Sequence, residues 1–394
     1  MAIDLARVRA DTPGIANVLH LNNAGAALPP RVVTEAVIGH LRREAEIGGY
    51  EAAEEAEALL ERCYDSVAQL LNCRREEIAV VENATRAWDM AFYAFPFRAG
   101  DRLLTGKAEY ASNYISFLQV ARRTGAVVEA IEDDEHGQIS VSALERAIDH
   151  RVKLIALTHV PTNGGLINPA AQVGRVARAA GIPFLLDACQ SAGQLPLDVE
   201  AIGCDMLSAT GRKFLRGPRA IGFLYVRRDL IERLEPPFLD LHAATWTGPD
   251  RYEMRPDARR FENWEVNFAG KVGLGVAVEY ALEQGLHAIA ARVRKLADEL
   301  REMLDAIPGI TVRDKGLERC GIVTFTAETM PAEKLQGALA RRRINTSLTT
   351  TSSTLLDMAA RGLTAMVRAS VHYYNSEEEL ERFAAAVADL VCVP

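Results

Sequence analysis

The chain reads as an α/β protein, with a large domain built on a mainly parallel sheet and a smaller α+β domain behind it. Three observations predict this. Short runs rich in Val, Ile and Leu alternate with longer amphipathic segments, the pattern of repeated strand–helix–strand units. At 394 residues the chain exceeds the length over which a single hydrophobic core usually keeps growing. From about residue 266 the texture changes to long helices separated by single strands. The expected bounds are an N-terminal segment at 1–20 that packs with the small domain, a large domain at 21–265 and a small domain at 266–394.

Taken in order, strands are expected at 77–81, 101–105, 153–158, 183–186, 206–209 and 221–226, each a short apolar run. Helical segments at 141–150 and 170–180 lie between them. The stretch 247–257 carries Pro, Gly and Asp and reads as a loop, long enough to serve as a lid or a dimer contact. Beyond it the pattern gives helices at 268–284 and 287–306, strands at 310–312, 321–325 and 366–373, and a closing helix at 377–391. No internal repeat or low-complexity segment interrupts this order.

Composition excludes several classes of function. The chain is 49% hydrophobic and 25% charged, values usual for a soluble globular protein. With 45 basic and 53 acidic side chains the net charge is −8, which disfavours bulk attraction to nucleic acid or an anionic membrane. Two basic clusters stand out locally: Arg341, Arg342 and Arg343 read as a solvated helix end, and Arg212, Arg216 and Arg219 as functional. No secretory signal pattern or membrane-length apolar run is present, so a cytoplasmic protein is expected. The six cysteines lack metal-ligand spacing and read as free, mostly buried thiols, and the eight histidines add no metal motif.

The chemistry is concentrated at Lys213 and Asp187. Lys213 lies in a Gly-containing turn after one apolar run, and Asp187 closes another. Such a pair suits pyridoxal phosphate: the amine forms a Schiff base with the cofactor aldehyde, and a carboxylate keeps the pyridine nitrogen protonated. The residues around the pair, Gln190 to Gly193, Thr210, Gly211, Gly217 and Pro218, strengthen the reading.

Together these motifs resemble the class V aminotransferases, fold-type I enzymes that use pyridoxal phosphate and include cysteine desulfurases, C–S lyases and isopenicillin N epimerase. The run from Arg212 to Arg219 is most similar to the lyase and epimerase-like branch. The resemblance covers nearly the whole chain and implies a seven-stranded large-domain sheet and a homodimer. It assigns the cofactor phosphate to the turn Ala84, Thr85 and Arg86, with Thr210 and Arg212 contributing. Tyr110 would stack on the cofactor ring or act as an acid, while Ala111 stands where relatives stack an imidazole. Thr162 would bond the ring oxygen or the substrate carboxylate, and Gln190 would reach the same ring oxygen. Arg368 opens a motif similar to the family's Arg-x-Ser strand and would hold the substrate carboxylate through two parallel hydrogen bonds. Asn22, Asn23 and Asn163 would line the substrate pocket.

One absence is informative. Cysteine desulfurases carry a nucleophilic cysteine before the Arg-x-Ser strand, whereas residues 344–355 here contain none and are rich in Thr and Ser. A hydroxyl is essentially un-ionised at neutral pH and accepts sulfur poorly. The expectation is an enzyme acting on a small amino acid, with Lys213 moving the α-proton and a β-substituent leaving from cysteine or an S-substituted cysteine. Transamination and epimerisation are the alternative outcomes, and a non-catalytic protein with a retained cofactor pocket is a further one.

Overall fold

The structure, a computed structural model, describes residues 3–392. Seven strands form the central sheet: β1 (Ile78–Val81), β2 (Arg102–Gly106), β3 (Val127–Ile131), β4 (Val152–Thr158), β5 (Phe184–Asp187), β6 (Met206–Thr210) and β7 (Gly222–Val226). Their spatial order is β1-β7-β6-β5-β4-β2-β3, and β7 alone runs antiparallel to its neighbours. Both faces of the sheet are covered, which is why β5, β6 and β7 read as continuous apolar runs rather than alternating ones. Leu103, Leu154, Leu185, Met206 and Leu224 pack on one face. Leu104, Ile155, Leu186, Leu207 and Phe223 pack on the other, in the large core that continues into the C-terminal region.

The C-terminal region carries an antiparallel sheet of β8 (Ile310–Val312), β9 (Ile322–Ala327), β10 (Ser347–Thr350) and β11 (Ala365–Ser370), in the order β8-β9-β11-β10. The N-terminal strand Leu19–His20 pairs in parallel with Ile344–Asn345, and Asn22 bridges to Ser370. This pairing brings the start of the chain to the end of β11.

Several expectations change in detail. Helix Phe268–Gln284 is buried nearly all round and packs on helices Arg31–Ile47 and Glu57–Leu71 of the large sheet's side. The change of texture near residue 266 therefore marks the start of a buried helix and not a break in packing. The expected loop at 247–257 is mostly a hairpin, Ala244–Gly248 against Arg251–Met254, with Trp246 opposite Tyr252 and both exposed. The expected helix at 141–150 is shorter: Ser140 caps it by accepting from the Ala143 N–H, and it ends at Ala147 because Ile148 turns extended. No helix among the described residues is long and apolar enough to cross a membrane, and none of their His, Cys, Asp and Glu side chains cluster as a metal site.

Candidate active site

The site forms at the carboxyl ends of the parallel strands, the usual crevice of open α/β sheets. In register, Thr158 on β4 lies beside Asp187 on β5, and Asp187 beside Ser208 on β6. Val81, Gly222 and Thr210 form a second row, placing Thr210 two strands from the turn that follows β1. At Gly222 that turn comes very close: a Cβ there would sit 3.1 Å from the Ala84 nitrogen and 2.5 Å from the Ala209 oxygen. Glycine is thus what allows the turn to close over the sheet beside Thr210. Helix Ala84–Phe92 begins here with Asn83 as N-cap. The Ala84 and Thr85 N–H groups are left at a positive helix end suited to an anion. The Arg86 N–H donates to the Asn83 side chain at 2.9 Å, and its guanidinium lies over the exposed Phe238 ring.

Lys213 lies in the connection between β6 and β7, which packs against the turn 190–193. Gly193 permits this: at φ 91° it adopts a conformation open to glycine, and a Cβ would fall 2.3 Å from the Phe214 carbonyl carbon. Arg216, also at positive φ, is buried, and its guanidinium donates to the Leu28 carbonyl, the Tyr373 hydroxyl and the Thr12 hydroxyl at 2.9, 2.8 and 2.6 Å. Arg216 is therefore a clamp between the lysine segment and the N-terminus, which corrects the functional reading of this basic cluster. Arg212 is likewise drawn to the N-terminal segment, donating to the Gly25 carbonyl while its own carbonyl accepts from Ala27. Burial lowers the Lys213 pKa from its ordinary value, with Cys189 and Asp187 opposing the shift. The lysine thus loses its proton more readily than a solvated one.

Asp187 is held on both oxygens. Its Oδ1 accepts from the Cys189 N–H at 2.8 Å and its Oδ2 from the Asn113 amide at 2.9 Å. The same Asn113 nitrogen donates to Glu109 Oε1 at 2.8 Å. Glu109 is buried and accepts further from Thr158 N–H at 2.9 Å, the Thr105 hydroxyl at 3.0 Å, Tyr110 N–H at 3.1 Å and the Thr158 hydroxyl. Sequence reasoning passed over Glu109 and Asn113; their four-residue spacing beside Tyr110 was the available signal. Tyr110 itself is the N-cap of helix Ala111–Thr124 and is 38% exposed, with its phenol near enough to Arg368 to act on its charge.

Arg368 on β11 faces the same cleft. It is buried, and its hydrogen bonds leave from Nη1 to the Thr162 carbonyl and hydroxyl, whereas Nε has no partner among the described residues. Thr162 is the meeting point, since the Gln190 amide also reaches its hydroxyl at 3.4 Å. Gln190 Oε1 and Asn22 Oδ1 are buried and equally unpartnered. The two other asparagines have protein partners. Asn23 is spent internally, donating to the Ser370 carbonyl at 2.7 Å and accepting from Tyr374. Asn163 is spent on the hydroxyl-rich segment, donating to the Thr350 carbonyl, the Thr354 hydroxyl at 2.8 Å and Met358 sulfur, and accepting from Thr349. A groove of about 1080 Å³ passes His159, Asn168, Gln194 and Cys320 at the junction with the C-terminal region, but Lys213 is not among its walls.

The geometry can be set beside known proteins. The profile of "Aminotransferase class-V" matches residues 18–383. The chain belongs to the class-V aminotransferase family. A probable cysteine desulfurase of Xylella fastidiosa (strain 9a5c) is 31% identical over 404 residues, covering 98% of this chain and 95% of that protein. The apo structure of a cysteine desulfurase from Thermococcus onnurineus NA1 is 28% identical with a TM-score of 0.92, covering 100% and 99% of the two chains. A cystine C–S lyase bound to cysteine persulfide, 22% identical with a TM-score of 0.86 over 96% and 99%, shares the fold. The protein is a pyridoxal phosphate enzyme of this fold-type I family. Its residues fit that cofactor: a lysine amine of lowered pKa, an anchored carboxylate, a helix end for the phosphate and a buried amide oxygen, Gln190 Oε1, lacking a protein partner.

Proposed function

We propose that this class-V family member is a lyase that breaks the Cβ–S bond of cysteine or an S-substituted cysteine by β-elimination. The observation that carries the proposal is the segment 346–354. It holds no cysteine, and it is tied down over the site, with the Ser353 carbonyl accepting from Ala111 N–H at 2.9 Å and Asn163 bonded to Thr349, Thr350 and Thr354. Persulfide transfer requires a thiolate that can approach the substrate sulfur. The cysteines near the site do not offer one: burial raises the Cys189 thiol far above neutrality and pushes Cys320 up to about 12.

In this reading pyridoxal phosphate, held by Lys213, Asp187, Ala84, Thr85, Thr210 and Gln190, supplies the electron sink for a carbanion at the substrate α-carbon. Arg368 fixes the substrate carboxylate through its Nε edge. Lys213 Nζ, deprotonated with the help of burial, takes the α-proton. The electron pair of the Cα–H bond then becomes the Cα–Cβ double bond as the Cβ–S pair leaves with sulfur. Water hydrolyses the released enamine to pyruvate and ammonia. Tyr110 lies at the cleft mouth, where its hydroxyl can protonate the departing sulfur.

We also propose a homodimer in which a second copy covers the cofactor turn. Thr85 is exposed in a single chain, and Phe238, Leu241, Trp246, Tyr252 and Trp264 expose apolar surface beside Arg86 and the hairpin. Such a patch on an otherwise mixed surface marks an interface.

The test of the reaction is to incubate the enzyme with cysteine, cystine, cysteine sulfoxides and cysteine sulfinate. Pyruvate with no persulfide on the protein is expected, and replacing all six cysteines by Ser should leave turnover largely intact. Alanine as co-product, with a kinetically competent protein persulfide detected by mass spectrometry, would restore a desulfurase reading.

A further inference from the structure

We infer that Asn113 and Glu109 are positioning residues that set the orientation and proton affinity of Asp187, and so the protonation of the cofactor ring nitrogen. The inference rests on the proposed role of Asp187. Its basis is one amide nitrogen shared between two buried carboxyls: Asn113 Nδ2 lies 2.8 Å from Glu109 Oε1 and 2.9 Å from Asp187 Oδ2. Ionised carboxylates only accept hydrogen bonds, so an amide between two of them must present its NH₂ group to both. Turning the amide over would set its oxygen against two other oxygens. Glu109 therefore fixes which way Asn113 points, and Asn113, with the Cys189 N–H, fixes the carboxylate plane of Asp187.

Glu109 is itself over-determined. Thr105, Thr158 and the Tyr110 N–H supply the remaining donors, so its side chain has one available orientation. Asp187 is the charge that acts on it; burial and Asp187 raise its pKa, and the hydrogen bonds lower it. Asp187 in turn acts on the charge of Lys213, as do Arg212 and Arg368 with the opposite sign. Five donors face Glu109, the setting of an ionised carboxylate, and that charge behind Asn113 makes Asp187 hold a proton-bearing partner more firmly than a lone carboxylate would.

The test uses the holoenzyme reconstituted with pyridoxal phosphate labelled with nitrogen-15 in the ring, and reads the ring-nitrogen chemical shift and the cofactor Kd rather than turnover. Asn113→Leu should move the shift towards the unprotonated value and weaken cofactor binding about ten- to hundred-fold, the size expected for hydrogen bonds to a charged group. Glu109→Gln should shift the nitrogen in the same direction, because a glutamine must turn its NH₂ group towards either the two donors at Oε2 or the three at Oε1. Asn113→Ser, too short to span both carboxyls, carries the same expectation if the leucine variant does not fold. In an Asp187→Asn background the Asn113 substitution should add nothing. Additive effects in that cycle, or a wild-type shift in Asn113→Leu and Asn113→Ser, would overturn the inference. Asp187→Asn with an unchanged shift would overturn the reading of Asp187, and the inference with it.

Discussion

Replacing Arg368 by Met should remove most of the enzyme's ability to choose substrates with an α-carboxylate. Arg368 sits in the middle of β11, flanked by Thr324 on β9 and Ser347 on β10, so its backbone is fixed on both sides. Only 7% of the residue is exposed, and burial lowers its pKa to about 10, which still leaves it charged at neutral pH. Thr162 satisfies one corner of the guanidinium, and the Nε edge is unpartnered among the described residues. This is an under-solvated cation whose free edge matches a carboxylate. Removing one partner of such a pair costs about 2–5 kcal/mol. At about 1.4 kcal/mol per decade, kcat/KM for cysteine should fall about thirty-fold to a few thousand-fold. Methionine is chosen because it fills part of the volume without leaving a buried charge. The assay compares cysteine with cysteamine, which lacks the carboxylate. A loss confined to cysteine supports the reasoning, and Arg368→Lys, which keeps the charge but not the fork, should lie between. An equal loss on both compounds, or an unchanged kcat/KM for cysteine, would refute it.

Other outcomes follow from the same structure. Borohydride treatment of the holoenzyme should place the phosphopyridoxyl group on Lys213, and Lys213→Ala should abolish that label; finding it on another lysine would sink the assignment. Burial holds His159 at about 4, below its ordinary value of 6.5. The unfolded chain therefore takes up this proton first, and stability falls as pH drops from 6.5 towards 4. At pH 5 this amounts to about 2 kcal/mol. Denaturant midpoints at pH 5 and 7.5 should therefore converge in His159→Asn relative to wild type, and an identical acid loss in both proteins would refute the link. Trp246→Lys combined with Tyr252→Lys should shift sedimentation from dimer to monomer, and a dimer that survives both charges would displace the interface from the hairpin.

Six of the seven strands of the large sheet were legible because both sheet faces are buried there, and runs such as Phe184–Asp187 have no polar face to disguise them; the edge strand Val127–Ile131, largely not buried, was missed. Lys213 and Asp187 were singled out because each follows such a run. Arg368 was legible only through its motif, since nothing local distinguishes a strand arginine at a site from one on a surface. What stayed hidden depended on contacts between distant segments. Arg216 looked like its neighbours Arg212 and Arg219 until its three bonds to Thr12, Leu28 and Tyr373 were seen. The sequence also did not show that the Asn23 and Asn163 amides bond to Ser370 and to the segment 349–358. Residues 247–257 were read as a loop from their Gly and Pro, and those residues instead shape a hairpin whose strands are too exposed to show an apolar pattern.

The same contrast explains why three polar atoms matter more than the many satisfied ones around them. Gln190 Oε1, Asn22 Oδ1 and Arg368 Nε are buried without partners among the described residues, while neighbouring amides such as Asn23, Asn113 and Asn163 are engaged. Leaving a buried polar group unsatisfied costs about 1–3 kcal/mol, more when it is charged. These three atoms lie at the proposed cleft, beside a Glu109 saturated by five donors, and leave hydrogen-bonding capacity where the cofactor and substrate are proposed to bind. Ligands that supply those partners stabilise the native state by mass action. Cofactor binding and thermal stability should therefore rise together.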